Sequence, residues 1–203
     1  MTLLPKSVLA LPPAQAARAL LGMHLVRDGV ILRITETEAY GQAGDTASHA
    51  RHGKSARNWP MFEDPGLAYV YLCYGIHHLF NVSCDRPGVP GAVLIRACEV
   101  VEGGAIVSVR RGGRCGPASV AGPGKVGQAL GVDVSWSGHS LLCPGGIELR
   151  RGDAPATIRV GPRVGIDYAD PVDRDAPLRF AVCDSRAISS PKSTLEAWDG
   201  SLS

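Results

Sequence analysis

The sequence lacks the features that mark membrane-spanning, disulfide-stabilised and zinc-ribbon proteins. No apolar run approaches the roughly 20 residues needed to cross a bilayer. The short apolar start at residues 1–11 ends at Pro12 and Pro13, which is not the pattern of a signal peptide. The six cysteines include no Cys-x-x-Cys pair. We therefore expect an intracellular protein without membrane association, whose cysteines are reduced, buried thiols.

A strong excess of charge is also missing. The net charge is only +2 over 203 residues, so no overall field demands a polyanionic partner. The basic side chains nevertheless form local clusters at residues 51–57, 110–114 and 150–151. Clusters of this kind are usually just solvated, yet they permit contacts with nucleic-acid phosphates.

Aromatic residues make up only 5% of the chain, whereas glycine (25) and proline (15) are plentiful. This composition favours many turns and short strands over long helices. The length suits one domain with its own core, and no repeat or linker divides it. We predict a single α+β domain over residues 1–203, dominated by antiparallel strands, with a polar, disordered tail at residues 189–203.

Turn residues and periodicity predict the main elements. Pro12-Pro13 and Gly22 bracket a short helix over residues 14–21. Asp28-Gly29 between apolar runs predicts a hairpin. A second short helix is expected over residues 123–130, after a Gly/Arg-rich irregular loop at 103–124. Further strands are expected at residues 80–83, 92–97, 147–150, 157–160 and 178–182.

Ile34 to Tyr40 reads as a strand because its residues are β-branched and alternate with period two. Glu36, Glu38 and Tyr40 then share one face of that strand. From the pattern alone, two carboxylates on one face are most simply a solvated surface. The alternative is a functional carboxylate, because a buried Glu can have its pKa raised until it acts as a base near neutral pH.

A second strand-like segment, Tyr69 to Tyr74, holds three of the five tyrosines, and Tyr74 lies at the strand end or in the turn before Gly75. The simplest interpretation is a buried strand whose hydroxyl groups find partners. The alternative is an aromatic platform for a planar ligand. The polar connection at residues 41–66 is long enough to be a functional loop.

Three common site signatures are incomplete. Gly124-Lys125 lacks the rest of a phosphate-binding loop, because Val126 stands where Ser or Thr should bind magnesium. The pair His49 and His52 lies in a glycine-bounded loop instead of on a zinc-binding helix. No Gly-x-Ser-x-Gly elbow is present for acyl transfer. We therefore predict neither a cofactor nor a metal site.

Seven residues stand together at a distinctive spacing, namely Glu38, Tyr40, His49, Tyr71, Tyr74, Asn81 and Arg96. They lie within or near the runs 36–40, 69–75 and 94–97, with further marker runs at 122–125 and 162–166. This set, which spans about residues 6–188, resembles the alkyladenine DNA glycosylases, also called the alkylpurine type of 3-methyladenine DNA glycosylase. The resemblance implies a curved, mainly antiparallel, partly open barrel-like sheet flanked by short helices.

The resemblance also implies a mechanism. A purine must leave the DNA stack before its glycosidic bond can be reached. Glu38 would be the general base that activates a water for attack on the sugar. Tyr40, His49 and Tyr71 would form the slot for the flipped base, where aromatic faces favour cationic alkylated purines. No lysine nucleophile is needed, so base excision without strand cleavage is expected.

By the same resemblance, Tyr74 would enter the gap that the flipped nucleotide leaves, and Asn81 would crowd the exocyclic amino group of guanine. Arg96 would contact the DNA backbone. The implied partner is double-stranded DNA that carries alkylated or deaminated purines, bound by a monomer. The expected location is the cytoplasm, at the nucleoid, in a bacterium and the nucleus in a eukaryote.

Two other functions fit the same residues. One is a non-catalytic protein that recognises damaged or bent DNA with the same slot, although such a binder has no need for a carboxylate beside the sugar. The other is a metal-dependent hydrolase that uses His49, His52 and a glutamate. Excision that persists after removal of metal ions would argue against the second.

Overall fold

The longest strands of the protein run side by side at the centre of an open antiparallel sheet. We describe them from a computed structural model of residues 1–41, 44–198 and 200. The strands in these residues are β1 His24–Arg27, β2 Val30–Tyr40, β3 Ala68–Cys73, β4 His77–Ser83, β5 Ala92–Glu102, β6 Glu148–Arg150, β7 Ile158–Gly161, β8 Arg179–Val182 and β9 Glu196–Ala197. Every described pairing between them is antiparallel. The sheet order is β3-β4-β5-β2-β8-β7-β9, and β1 joins β2 to β6.

The pairing of β2 with β5 is interrupted by bulges. Glu36 pairs with Ala97 and Thr37 with Ile95, so Arg96 is an extra residue on β5. A bulge bends its strand and leaves one residue unpaired. Arg96 faces the side that carries the carboxylates of β2, while Ile95 lies in the hydrophobic core.

Short helices flank the sheet. They are α1 Lys6–Leu9, α2 Pro13–Ala19, α3 Gly104–Arg110, α4 Pro123–Leu130 and α5 Pro171–Arg174. At Gly127, a Cβ atom would lie 2.0 Å from the His78 carbonyl oxygen, so only glycine lets α4 approach β4 this closely. Among the helices described, none combines the length and apolar character of a membrane span.

Several predicted elements are confirmed. The helix after Pro12-Pro13 is α2, and the helix predicted at 123–130 is α4. Asp28 and Gly29 both have positive φ, 48° and 74°, and connect β1 to β2 as a two-residue hairpin turn. The fold class is also confirmed, because the described residues form one α+β domain with an open antiparallel sheet.

One prediction about an irregular segment is wrong, and the prediction for the tail is covered only in part by the described residues. The loop predicted at 103–124 contains α3 and a 3₁₀ turn at Pro117–Ser119, because burial of Val107 stabilises a helix of β-branched residues with weak propensity. The tail predicted at 189–203 contains β9, and Ser189 and Leu195 are buried. Residues 199 and 201–203 lie outside the described part.

The prediction of buried thiols holds for only some of the cysteines. All six are free; Cys84 and Cys98 are buried, whereas Cys115 and Cys143 are exposed. Burial raises the pKa of Cys84 and of Cys98. Those two thiols therefore behave as small apolar core groups.

Candidate functional site

A cavity of about 880 Å³ opens where β3, β4 and β5 meet the 41–66 connection and the loop at 164–168. Its wall contains both aromatic and basic side chains. The aromatic part comprises Tyr40, His49, Tyr69, Tyr71, Tyr74 and Tyr168. The basic part comprises Arg57, Arg96, Arg111, Arg114 and Lys125. The combination suits a planar ligand attached to a polyanion.

Glu38 lies directly behind this wall and has no exposed surface. Its Oε1 accepts a hydrogen bond from the Val164 backbone N–H at 2.8 Å. Its Oε2 accepts one from the Tyr40 hydroxyl at 2.9 Å and pairs with Arg96 Nη1 at 3.2 Å. A carboxylate offers about four acceptor positions, so one remains for a further donor. The solvated-face interpretation of Glu38 is therefore wrong.

Tyr40 is held by groups on both sides. Its hydroxyl donates to Glu38, and the guanidinium carbon of Arg163 lies 4.7 Å from its ring centroid. Arg163 is itself fixed by two hydrogen bonds to the Asp45 carboxylate, at 2.7 and 2.9 Å. Burial, with the charge of Glu38 adding to it, raises the pKa of Tyr40 well above 10.0, so this hydroxyl stays a hydrogen-bond donor.

His49, Tyr69 and Tyr71 form one aromatic group. The Tyr71 ring meets the His49 ring edge to face at 4.6 Å and the Tyr69 ring at 5.4 Å. His49 Nδ1 lies 2.8 Å from the Tyr69 hydroxyl. Burial raises the pKa of Tyr69 to about 12 and raises that of Tyr71 further. These rings therefore present a neutral, largely apolar surface to the cavity.

The protonation of His49 should affect stability. Burial, with the charges of Arg57 and Arg51 adding to it, lowers the pKa of His49 from 6.5 to about 4. The unfolded chain then binds the proton at a higher pH than the folded protein, so acid favours unfolding. We expect the His49 contribution to stability to be complete above about pH 6.5 and to decline as the pH falls toward 4. Thermal unfolding of wild-type and His49→Gln protein, followed between these pH values, checks this.

The expected result is a steeper loss of Tm with acid in the wild type than in His49→Gln. Equal slopes in the two proteins would show that the imidazole titrates alike in the folded and unfolded states.

Tyr74 is the most exposed of the predicted residues. It lies in the turn between β3 and β4, with 87% of its surface exposed and φ at +50°. Ile76 beside it is 72% exposed. The left-handed region costs a non-glycine residue about 1–2 kcal/mol, and an aromatic ring gains nothing in water. This turn therefore has the properties of a contact surface for another molecule.

Asn81 is buried in the cavity wall on β4. Its amide donates to the backbone carbonyls of Tyr69 and Leu79, at 2.9 and 3.3 Å. These bonds fix the side chain at a defined position facing the cavity, as a residue that excludes a substituent by its bulk must be fixed. The structure thus brings Tyr40, His49, Tyr71 and Asn81 to one cavity, with Glu38 directly behind its wall.

Comparison with known proteins agrees with this geometry. Residues 7–186 match the family model described as methylpurine-DNA glycosylase (MPG). The chain belongs to the methylpurine-DNA glycosylase family. Its members are hydrolytic DNA N-glycosylases, and this chain is such an enzyme.

Individual relatives cover most of the chain. A Nitrosococcus oceani protein named as a 3-methyladenine DNA glycosylase is 51% identical over 187 residues, which are 92% of this chain and 93% of the relative. An Arabidopsis thaliana DNA-3-methyladenine glycosylase is 48% identical over 97% of this chain and 78% of its own length. A Methanocella arvoryzae protein of the same type of name is 40% identical over 93% and 96%.

The structure places Arg96 against two carboxylates. Arg96 is only 5% exposed, and its guanidinium pairs with Glu38 and with Glu36, the latter at 3.3 Å. Burial alone would lower the pKa of Arg96, but Glu38 and Glu36 raise it. The contact of Arg96 with the DNA backbone stays a prediction.

The sequence-based prediction missed the residues that support the site. Arg163 and Val164 belong to the run at 162–166, which supported the family resemblance but was assigned no role in the site. Glu36 shares the Glu38 face, so its position was predicted but its burial was not. No local signal singles out Arg179 or Ser189, because their contacts with Glu36 bridge 143 and 153 residues.

Among the described residues, no three His, Cys, Asp or Glu side chains gather as a metal-binding group. His49 instead bonds to Tyr69, and His52 Nε2 accepts a hydrogen bond from Arg51 at 3.0 Å.

Proposed function

We propose that this glycosylase flips alkylated or deaminated purines, 3-methyladenine among them, out of duplex DNA and hydrolyses the N-glycosidic bond with a water activated by Glu38. The observation that carries the proposal is the setting of Glu38. It is a fully buried carboxylate with one acceptor position left, directly behind an aromatic cavity. The names of the relatives support 3-methyladenine as one substrate.

The proposed reaction has one displacement. A water bound to Glu38 attacks C1′ of the flipped nucleoside, and its proton passes to the carboxylate. The C1′–N bond breaks, and its electron pair leaves with the base. A cationic purine is neutralised by this electron pair and needs no acid, whereas a neutral purine such as hypoxanthine leaves as an anion and takes a proton from water. The result is a free base and a sugar with a hydroxyl at C1′, as in inverting glycosidases.

Arg96 and Tyr40 position the carboxylate for this step. Both contact Oε2 of Glu38 and both line the cavity, so a small movement of either side chain admits the water. The Arg96 guanidinium holds the negatively charged Glu38 carboxylate in place through an ion pair at Oε2. The oxocarbenium-like transition state gains from the same negative charge.

Aromatic rings bind the base in the slot. Tyr40, His49 and Tyr71 present neutral faces and edges, and an electron-poor purine stacks on such surfaces with added cation–π attraction. Normal purines are neutral and lack that gain. Asn81, held by two backbone carbonyls, limits the space available to an exocyclic amino group.

Outside the slot, the turn with Tyr74 would fill the gap in the duplex, as apolar or aromatic wedges do in DNA-bending proteins. Arg57 and Arg114 are exposed at the cavity rim. We assign further phosphate contacts to them.

A panel of duplexes with one lesion each tests the function. We expect release of 3-methyladenine, 7-methylguanine, hypoxanthine or etheno-adenine from at least one duplex, with intact phosphodiester bonds until alkali is added. Excision should continue at the same rate after dialysis against EDTA. No release from any lesion would reject the proposal, and a rate lost with EDTA would favour the metal-dependent hydrolase.

A further inference from the structure

A second buried carboxylate stands two residues before the proposed catalytic one. Glu36 has no exposed surface and does not reach the cavity. Its Oε1 accepts hydrogen bonds from Arg179 Nε at 2.6 Å and from the Ser189 hydroxyl at 2.9 Å. Its Oε2 accepts one from the Ser189 backbone N–H at 2.6 Å. Arg96 Nε, 3.3 Å from Oε1, is the fourth protein donor in contact with Glu36, so about four acceptor positions are filled and none is left for a substrate.

Arg96 connects this saturated group to Glu38. Its Nε lies 3.3 Å from Glu36 Oε1, and its Nη1 lies 3.2 Å from Glu38 Oε2. Its Nε and Nη2 each donate to the Ser189 hydroxyl at 3.2 Å. All three guanidinium nitrogens are therefore engaged. One edge is held by Ser189 and Glu36, which directs the remaining nitrogen toward Glu38.

The charges of this group balance. Glu36 and Glu38 supply two negative charges, and Arg96 and Arg179 supply two positive ones, with Arg179 fully buried against Glu36. Because Arg179 neutralises Glu36, Arg96 is not drawn wholly to it and its charge remains shared with Glu38. A buried charge group of this kind keeps one arrangement only while every donor is in place.

We propose that Ser189 is a positioning residue for the glycosylase reaction, which acts by holding Arg96 in the orientation that aligns Glu38. The inference rests on the proposed role of Glu38 as the base. Ser189 lies beyond residue 186, where the match to the family model ends. The segment after β8 therefore completes the support of the catalytic carboxylate instead of trailing from the domain.

Thr35 provides a matched control for loss of the attachment between this segment and β2. The Thr35 hydroxyl donates to the Ala187 carbonyl at 2.6 Å, so it fastens the same segment to the same strand. It has no described bond to Arg96. Thr35→Val keeps the shape and loses that attachment, whereas Ser189→Ala loses the bonds to Arg96 and Glu36. A difference between the two variants reports on the bonds of the Ser189 hydroxyl to Arg96 and Glu36.

The experiment measures single-turnover excision, affinity for an uncleaved lesion duplex and Tm for both variants. For Ser189→Ala we expect a rate roughly tenfold to a hundredfold lower, the scale of a catalytic group moved by less than about 1 Å, with an affinity within about twofold of wild type. Thr35→Val should lower the Tm at least as much and leave the rate within about twofold. Ser189→Thr, which keeps the hydroxyl, should recover most of the rate.

A normal rate in Ser189→Ala, or an equal slowing in Thr35→Val, would overturn the inference. So would a Ser189→Thr enzyme that is as slow as the alanine variant. If Ser189→Ala does not fold, Ser189→Cys takes its place, because a thiol is only a weak hydrogen-bond partner, and a wild-type rate in that variant overturns the inference. Glu38→Gln separates the two levels of the proposal. A rate lost in Glu38→Gln but kept in Ser189→Ala removes only the role of Ser189, whereas a rate kept in Glu38→Gln removes the proposed base as well.

Discussion

Glu38→Gln protein is expected to bind a hypoxanthine or etheno-adenine duplex with near wild-type affinity and to release the base about 10²- to 10⁴-fold more slowly. That range is the usual contribution of a general base. Gln has the size of Glu and can still accept from the Val164 N–H, but it cannot take a proton from water. Single-turnover excision and a binding titration with the same duplex measure the two effects separately.

Glu99→Gln is the matched control for this substitution. Glu99 lies on β5 within the sheet, pairs with Arg33 at 3.1 Å and is partly exposed. Its loss removes a carboxylate of the same strand pair that contacts Arg33 and Ser185 instead of the groups around Glu38. We expect excision by Glu99→Gln at the wild-type rate. Wild-type excision by Glu38→Gln would show that another group is the base, and the non-catalytic binder requires that no protein in the set releases base.

Tyr74→Ser is expected to weaken binding to a lesion duplex by roughly tenfold to a hundredfold. Stacking of one base on an aromatic side chain contributes about 1–3 kcal/mol, and the serine side chain cannot fill the gap in the duplex. Because Tyr74 is 87% exposed, its replacement should leave the Tm nearly unchanged. Affinities are measured by fluorescence anisotropy at fixed salt, because phosphate contacts depend on ionic strength.

Two variants control for this effect. Tyr74→Phe keeps the ring and should bind within about twofold of wild type. Val134→Ser removes another exposed apolar side chain, 53% exposed and not in the cavity wall, and should bind normally. Unchanged affinity in Tyr74→Ser would remove the residue from the proposed role. An equal loss in Val134→Ser would indicate a general effect of surface polarity.

Local signals account for the elements that were predicted correctly. The turn at Asp28-Gly29 needs two positive φ angles, and α4 begins at a proline and ends at Gly131 with φ +69°. Such preferences act over a few residues and are readable in any sequence. Helix α3 was missed because burial of Val107, a tertiary effect, outweighs the weak propensity of its residues.

Tertiary contacts also explain why only part of the site was predicted from the sequence. The aromatic slot residues and Glu38 lie on two neighbouring runs, and the structure brings them together at one cavity. The burial of Glu38 was not predictable from alternation, since a solvated face and a buried charged face share one pattern. The register of β2 against β5 leaves Arg96 as an extra residue on β5. The sequence of either strand by itself does not predict that register.

The linear order of residues is enough to establish the family, the strand that carries Glu38 and the identity of the aromatic residues, because these depend on side-chain types at short spacings. Only the tertiary structure determines which carboxylate has its acceptor positions filled, which one lies behind the cavity wall, and what Arg96 binds. Glu38 meets Val164 across 126 residues and Glu36 meets Ser189 across 153. Desolvation and charge pairing arise only from such distant contacts, so they come into being with the tertiary structure.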